Sequence, residues 1–97
     1  MAKYVTFYNF TDQGIKAVKE SPGRAKDAIE AAAAAGMQVL GLYYLQGPYD
    51  LVVISEAEDE KVAMAFALGT ATQGNVRSTT MRAWDTDEFA EIVALMP

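Results

Sequence analysis

The chain has no cysteine and no histidine among its 97 residues. Without cysteine there is no disulfide framework, no thiol nucleophile and no thiolate metal site. Without histidine the usual general base near neutral pH and the commonest transition-metal ligand are both missing. Basic residues are scarce too: eight Lys and Arg against thirteen Asp and Glu leave a net charge of −5. A nucleic-acid face needs clustered Lys and Arg to displace counterions, so nucleic acid is not an expected partner. The longest apolar runs, Ala31–Met37, Val39–Leu45 and Val62–Gly69, fall well short of the ~20 residues that cross a bilayer. The first ten residues, MAKYVTFYNF, also lack the apolar core and small-residue cleavage site of a secretory leader. The expectation is a cytoplasmic protein, away from membranes, with no cofactor and no metal. The one acidic run, Glu56–Glu60, lacks the alternating ligands and turn glycine of a hard-cation loop. It reads as a solvated helix start.

What the chain does have is apolar strand material. Its centre, Met37–Ala57, reads MQVLGLYYLQ, then GPYD, then LVVISEA. Gly and Pro mark a turn, and the β-branched and aromatic flanks mark the two strands of an antiparallel hairpin. Strict alternation would put Val39, Gly41, Tyr43 and Leu45 on one face and Leu40, Leu42 and Tyr44 on the other. Likewise Leu51 and Val53 alternate with Val52 and Ile54. Both faces are apolar, and a strand apolar on both faces is covered on both. The first strand, Tyr4–Phe10, shows the same character.

Helix signals fill the gaps. Thr11 reads as an N-cap, opening a short helix with Ile15 and Val18 on one stripe, which should stop at Ser21 because Pro22 follows. Ser21-Pro22 then reads as a new N-cap and first helical residue. The segment to Ala35 holds seven alanines, the best helix former, and Gly36 ends it. Glu58–Glu60 places carboxylates at the start of a third helix, with two apolar stripes: Val62, Phe66, Gly69 and Met64, Leu68, Ala71. Two stripes predict burial on more than one side. Gly74 closes that helix. Val76–Trp84 is a last, more polar strand, and Asp85 with Glu88 forms a capping box for a terminal helix through Phe89, Ile92, Val93 and Leu95.

One domain, residues 1–97, therefore runs β-α-α-β-β-α-β-α, with strands near residues 3–10, 37–46, 50–57 and 75–84. That is the ferredoxin-like βαββαβ pattern, α+β, a four-stranded antiparallel sheet with helices on one face, plus a short C-terminal helix. Its other face is left bare, which predicts a homo-oligomer, most simply a two-fold dimer or an assembly of dimers.

Short motifs add to this pattern. Gly47-x-Tyr49-Asp50 lies between the two central strands. Phe10-Thr11-x-Gln13-Gly14-Ile15-Lys16 precedes Ser21-Pro22-x-Arg24, and Gly74-Asn75-Val76-Arg77 leads into the last strand. In order and spacing the chain resembles the GYD domain family. The resemblance implies a dimeric α/β-barrel type of ferredoxin-like fold, in a family of uncharacterised biochemical role. It is similar, more distantly, to the effector-binding domain of leucine-responsive regulators, but the DNA-binding helix-turn-helix of those proteins is missing here.

For a small-molecule ligand the available orienting groups are Tyr8, Tyr43, Tyr49, Asp50, Arg77 and Arg82. Each has a plainer role. Gly47, Tyr49 and Asp50 suit a tight turn, the tyrosines suit a core or an interface, and a strand arginine commonly reaches solvent or an acid. Two functional readings stay open: an oligomeric module binding a small molecule or a protein, or a small barrel-type enzyme using Tyr, Asp and Arg in an apolar pocket. The second needs a carboxylate or phenol with a strongly shifted pKa in a cleft.

Overall fold

The structure is a computed structural model and describes residues 1–97. Four strands form one sheet: β1 (Ala2–Phe10), β2 (Met37–Tyr44), β3 (Leu51–Ala57) and β4 (Val76–Ala83). Their order is β2-β3-β1-β4, every pair antiparallel. The helices are α1 (Asp12–Lys16), α2 (Ser21–Ala34), α3 (Glu60–Thr72) and α4 (Thr86–Ala94), with a 3-10 turn at Val18–Glu20. This is the ferredoxin-like arrangement, with α2 against β2 and α3 against β3 and β4. No helix is long and apolar enough to cross a membrane.

Register settles which side chains share a face. Tyr4, Thr6 and Tyr8 of β1 stand opposite Ser55, Val53 and Leu51 of β3. These side chains and Met37 and Ala57 lie on the helix side, and most are buried. Lys3, Val5 and Phe7 oppose Glu56, Ile54 and Val52, on the open side. Simple alternation fails in β2. Val39 pairs with Ser55 and Gly41 with Ile54, so Leu40 is an extra, bulged residue. A bulge inserts one residue and reverses the parity of everything after it. Val39 and Leu42 therefore face the helices, while Gly41 and Tyr43 face away, correcting the expectation that Val39, Gly41 and Tyr43 share a face.

Three helix expectations also need correction. Ser21 is not an N-cap: its backbone is already helical (φ −56°, ψ −45°) although Pro22 follows it. Glu20 holds the cap position without a side-chain hydrogen bond. Instead the buried Ser21 hydroxyl pairs with the Tyr44 hydroxyl at 2.9 Å, so a tertiary contact has taken the oxygen that capping would use. In α3, Val62 and Phe66 pack on the core, but Met64 and Leu68 point to water. The second stripe is not covered within one chain. Nor do Ile15 and Val18 share one helix: α1 ends at Lys16, Val18 begins the 3-10 turn, and both side chains are exposed.

The capping residues otherwise behave as their chemistry dictates. Thr11, Asp59 and Asp85 each accept a backbone N–H of the helix they precede, and Asp85 with Glu88 forms the full reciprocal box. Even so, α4 has no buried residue, and Phe89 is 56% exposed. It is tethered by Lys3, whose ammonium lies 3.1 Å from Glu88 and 3.4 Å from Asp85. The chain's radius of gyration, 14.7 Å, exceeds the ~13 Å of a compact domain of this size. A terminal helix that buries nothing fits that excess.

Candidate functional site

Three of the short motifs meet at one end of the sheet, where β1 finishes. Asp50 joins the central hairpin to β1: its backbone N–H donates to the Tyr8 carbonyl at 2.8 Å, and its carboxylate accepts the Phe10 N–H at 2.8 Å. The Asp50 carbonyl accepts from the Leu45 N–H, which closes the Gly47–Asp50 turn. Thr11 follows at once. Its N–H donates to the Asn75 carbonyl at 3.0 Å and its hydroxyl to the Gly74 carbonyl. The Gln13 amide donates to the Gln73 carbonyl (3.0 Å) and the Asn75 side-chain oxygen (2.9 Å).

Glycine is required at two positions of this clamp. A Cβ on Gly14 would sit 1.9 Å from the Asn75 carbonyl oxygen, which no real contact allows. Gly74 has φ +80°, a left-handed conformation that side chains with a Cβ avoid. The three motifs, far apart in sequence, are thus parts of one hydrogen-bonded junction. Their immediate role is to fix where β1, the hairpin and β4 end.

Directly beneath lies a cavity of about 490 Å³ between α2, α3 and the sheet. Fifteen of its 21 lining residues are hydrophobic, so its walls favour apolar contents. Alanines of α2 form one wall, Phe66 and Gly69 of α3 another, and Val39, Leu42, Leu51 and Val53 the floor. The polar lining is unevenly spread. Ser21 and Arg24 begin α2, Thr70 lies in the last turn of α3 with Gln73 just beyond it, and Asn75 immediately precedes β4. All lie at the clamp end. The opposite end, near Ala31, Ala35 and Val62, is apolar.

The six orienting groups do not converge on one surface. Tyr8 lines the cavity, only 9% exposed, and burial alone pushes its phenol pKa up, so it is neutral at physiological pH. Asp50 serves the clamp. Tyr43, 61% exposed, and Arg77 belong to the open face of the sheet, and Tyr49 stacks on Phe7 of that face with ring centroids 4.7 Å apart. Arg82 sits at the far end of β1, over the rings of Trp84 (4.6 Å) and Tyr4 (5.8 Å), and donates to the Lys3 carbonyl. Nowhere do three His, Cys, Asp or Glu side chains gather closely enough to hold a metal ion.

Arg24 and Ser21 are not among the orienting groups expected from the sequence, although both stand in the Ser21-Pro22-x-Arg24 motif. Their helical position hid them, because only the docking of α2 turns that face toward the sheet. The Arg24 guanidinium donates to the Ala17 carbonyl at 3.2 Å and lies 3.5 Å from the exposed Glu20 carboxylate.

The fold and the clamp define a ferredoxin-like domain built on the Gly-x-Tyr-Asp turn. The GYD domain model matches residues 4–93, and the chain belongs to that family. It is also 31% identical over 84 residues to a protein of Thermus thermophilus. That relative is named "Glutamine synthetase and cystathionine beta-lyase binding protein", and the match covers 86% of this chain and 88% of the relative. No solved structure matches the chain.

Proposed function

We propose that this chain is a self-associating protein-binding module whose partner is a metabolic enzyme of the kind named for the Thermus relative. The observation that carries the reading is the open sheet face. Val5, Phe7, Tyr43, Val52, Ile54 and Met81 form a surface on the side of the sheet opposite α2 and α3, and Tyr43, Ile54 and Met81 are well exposed. Patches of this kind on small domains serve association. Burying apolar area yields roughly 25 cal/mol per Å². A standard interface of ~800 Å² per partner can then exceed the cost of association, although area alone does not set affinity.

A two-fold dimer with its open faces together is the simplest assembly, and the exposed apolar side of α4 has the same need for a neighbour. The relative's name supports a protein partner beyond the second copy. The test is in two stages. Native mass spectrometry should give a mass that is a multiple of the 10.5 kDa chain. Calorimetric titration should then detect binding to purified glutamine synthetase or cystathionine β-lyase from the same source. A 10.5 kDa particle at micromolar concentration ends the self-association half. Absence of heat with both enzymes ends the other half.

A further inference from the structure

The cavity between α2, α3 and the sheet has no part in that association, because it lies on the opposite side of the sheet from the open face. Its size, about 490 Å³, falls in the range of small-molecule sites. Two observations about its walls point to a ligand. Tyr8 keeps only 9% of its surface exposed, and no hydrogen bond or neighbouring charge contributes to its shifted titration; burial acts alone. Tyr8 lines the cavity and its hydroxyl has no partner within the chain, so its donor is available to an occupant. Arg24 stands at the same end, where α2 begins. Its contact within the chain beyond one carbonyl is the exposed Glu20, a pair of little strength. A guanidinium presents five donors, and most of these remain for an incoming group.

The division of the cavity into a polar end and an apolar end sets the shape of its occupant. We propose that it binds a medium-length apolar monocarboxylate. The carboxylate meets Arg24 at the first turn of α2, Tyr8 donates from the floor, and the hydrocarbon tail lies along the alanines of α2 toward Val39 and Val62. An arginine prefers a carboxylate to an alcohol because it can donate two parallel charge-assisted hydrogen bonds. The start of a fourteen-residue helix carries partial positive charge that adds to this preference. The alanine wall matters for access: larger side chains on α2 would fill the space that the tail takes.

The experiment is a titration of the ¹⁵N-labelled full-length chain with decanoate and, separately, with decanol, followed by amide chemical shifts. Saturable shifts are expected at Ala28, Ala31, Gly69 and Thr70, with decanoate binding roughly ten-fold more tightly, the value of one charge-assisted contact. Arg24→Gln should remove most of that ten-fold difference and leave decanol affinity in place. Tyr8→Phe should weaken both probes. Ala28→Leu should reduce binding of both, and the Arg24→Gln result stands by itself if that variant fails to fold. Equal affinity for decanoate and decanol would overturn the carboxylate assignment. Shifts confined to Val52, Ile54 and Met81, or no saturation at millimolar probe, would overturn the site.

Discussion

The regions of the molecule that the chain stitches together by itself differ sharply from those it leaves uncovered. At the end of β1 the Asp50 carboxylate, the Thr11 hydroxyl and the Gln13 amide all find partners within the chain, and Gly14 lets the backbones touch. On the open face Tyr43, Ile54 and Met81 meet water. Polar groups must be paired locally because an unmade buried hydrogen bond costs about 1–3 kcal/mol. Apolar surface carries no such local demand and can wait for another molecule. The clamp therefore belongs to folding, and the open face is the surface we propose for association.

Placing one charge on each side of the sheet tests this division. Val53 is buried on the helix side and Val52 is its neighbour on the open side. Val53→Asp strands a carboxylate among Tyr8, Leu51 and Leu42, and should cost about 4 kcal/mol or more, enough to abolish folding as read by circular dichroism. Val52→Asp should keep the folded spectrum while light scattering falls to the 10.5 kDa monomer. Unfolding of both variants alike would break the comparison.

Gly14→Ala pushes a methyl into the Asn75 carbonyl, and should cost about 2–3 kcal/mol by overpacking. In a domain of ~100 residues each kcal/mol lowers Tm by roughly 4–8 °C. The clamp lies within one chain, so this loss should be as large in a Val52→Asp background, which thermal melts of the single and double variants would establish.

Ser55→Ala works in the opposite direction. The Ser55 hydroxyl is fully buried on the helix side and has no hydrogen-bond partner. Its removal should raise stability by about 1 kcal/mol, measured by urea unfolding. A loss of stability would mean that the hydroxyl has a partner, and that the helix side pairs its polar groups as the clamp does.

The smallest effect is expected at α4. The Glu88 backbone N–H, then the Lys3 charge, hold Asp85 below its usual carboxylate pKa; the Asp85 backbone N–H, then the Lys3 ammonium, do the same for Glu88. Groups lowered in the folded state stabilise above the unfolded values of ~4, and that contribution is lost as pH falls through the lowered values. Lys3 is raised, first by its hydrogen bond to Glu88, so its share persists below its ordinary value of 10.5 and fades as pH rises through the raised one. Helical signal from α4 should fray in acid below pH ~4 while the clamp amides stay protected from hydrogen exchange.

Much of this was legible in the residues because it depends on local chemistry. Turn glycines, helix caps and β-branched runs act over a few neighbours, so the four strands, the Asp85–Glu88 box and the helix end at Gly36 could be read directly. The bare face followed from counting apolar residues against the helices available to cover them. Face assignments beyond Val39 were not legible, because the extra residue at Leu40 is defined by its pairing with β3 and not by its own side chain. Ser21 shows the same limit: its sequence says cap, yet Tyr44, twenty-three positions away, takes the hydroxyl. The six orienting groups were drawn from strands and a turn, and strand chemistry cannot say which end or face of a sheet a residue will share with a helix. Sequence alone determined the elements and their apolar surplus. Only tertiary packing brought Thr11, Asp50 and Asn75 into one clamp, opened a cavity beneath it and set Tyr8 and Arg24 in its lining, because contacts between distant segments exist only once the chain has closed on itself.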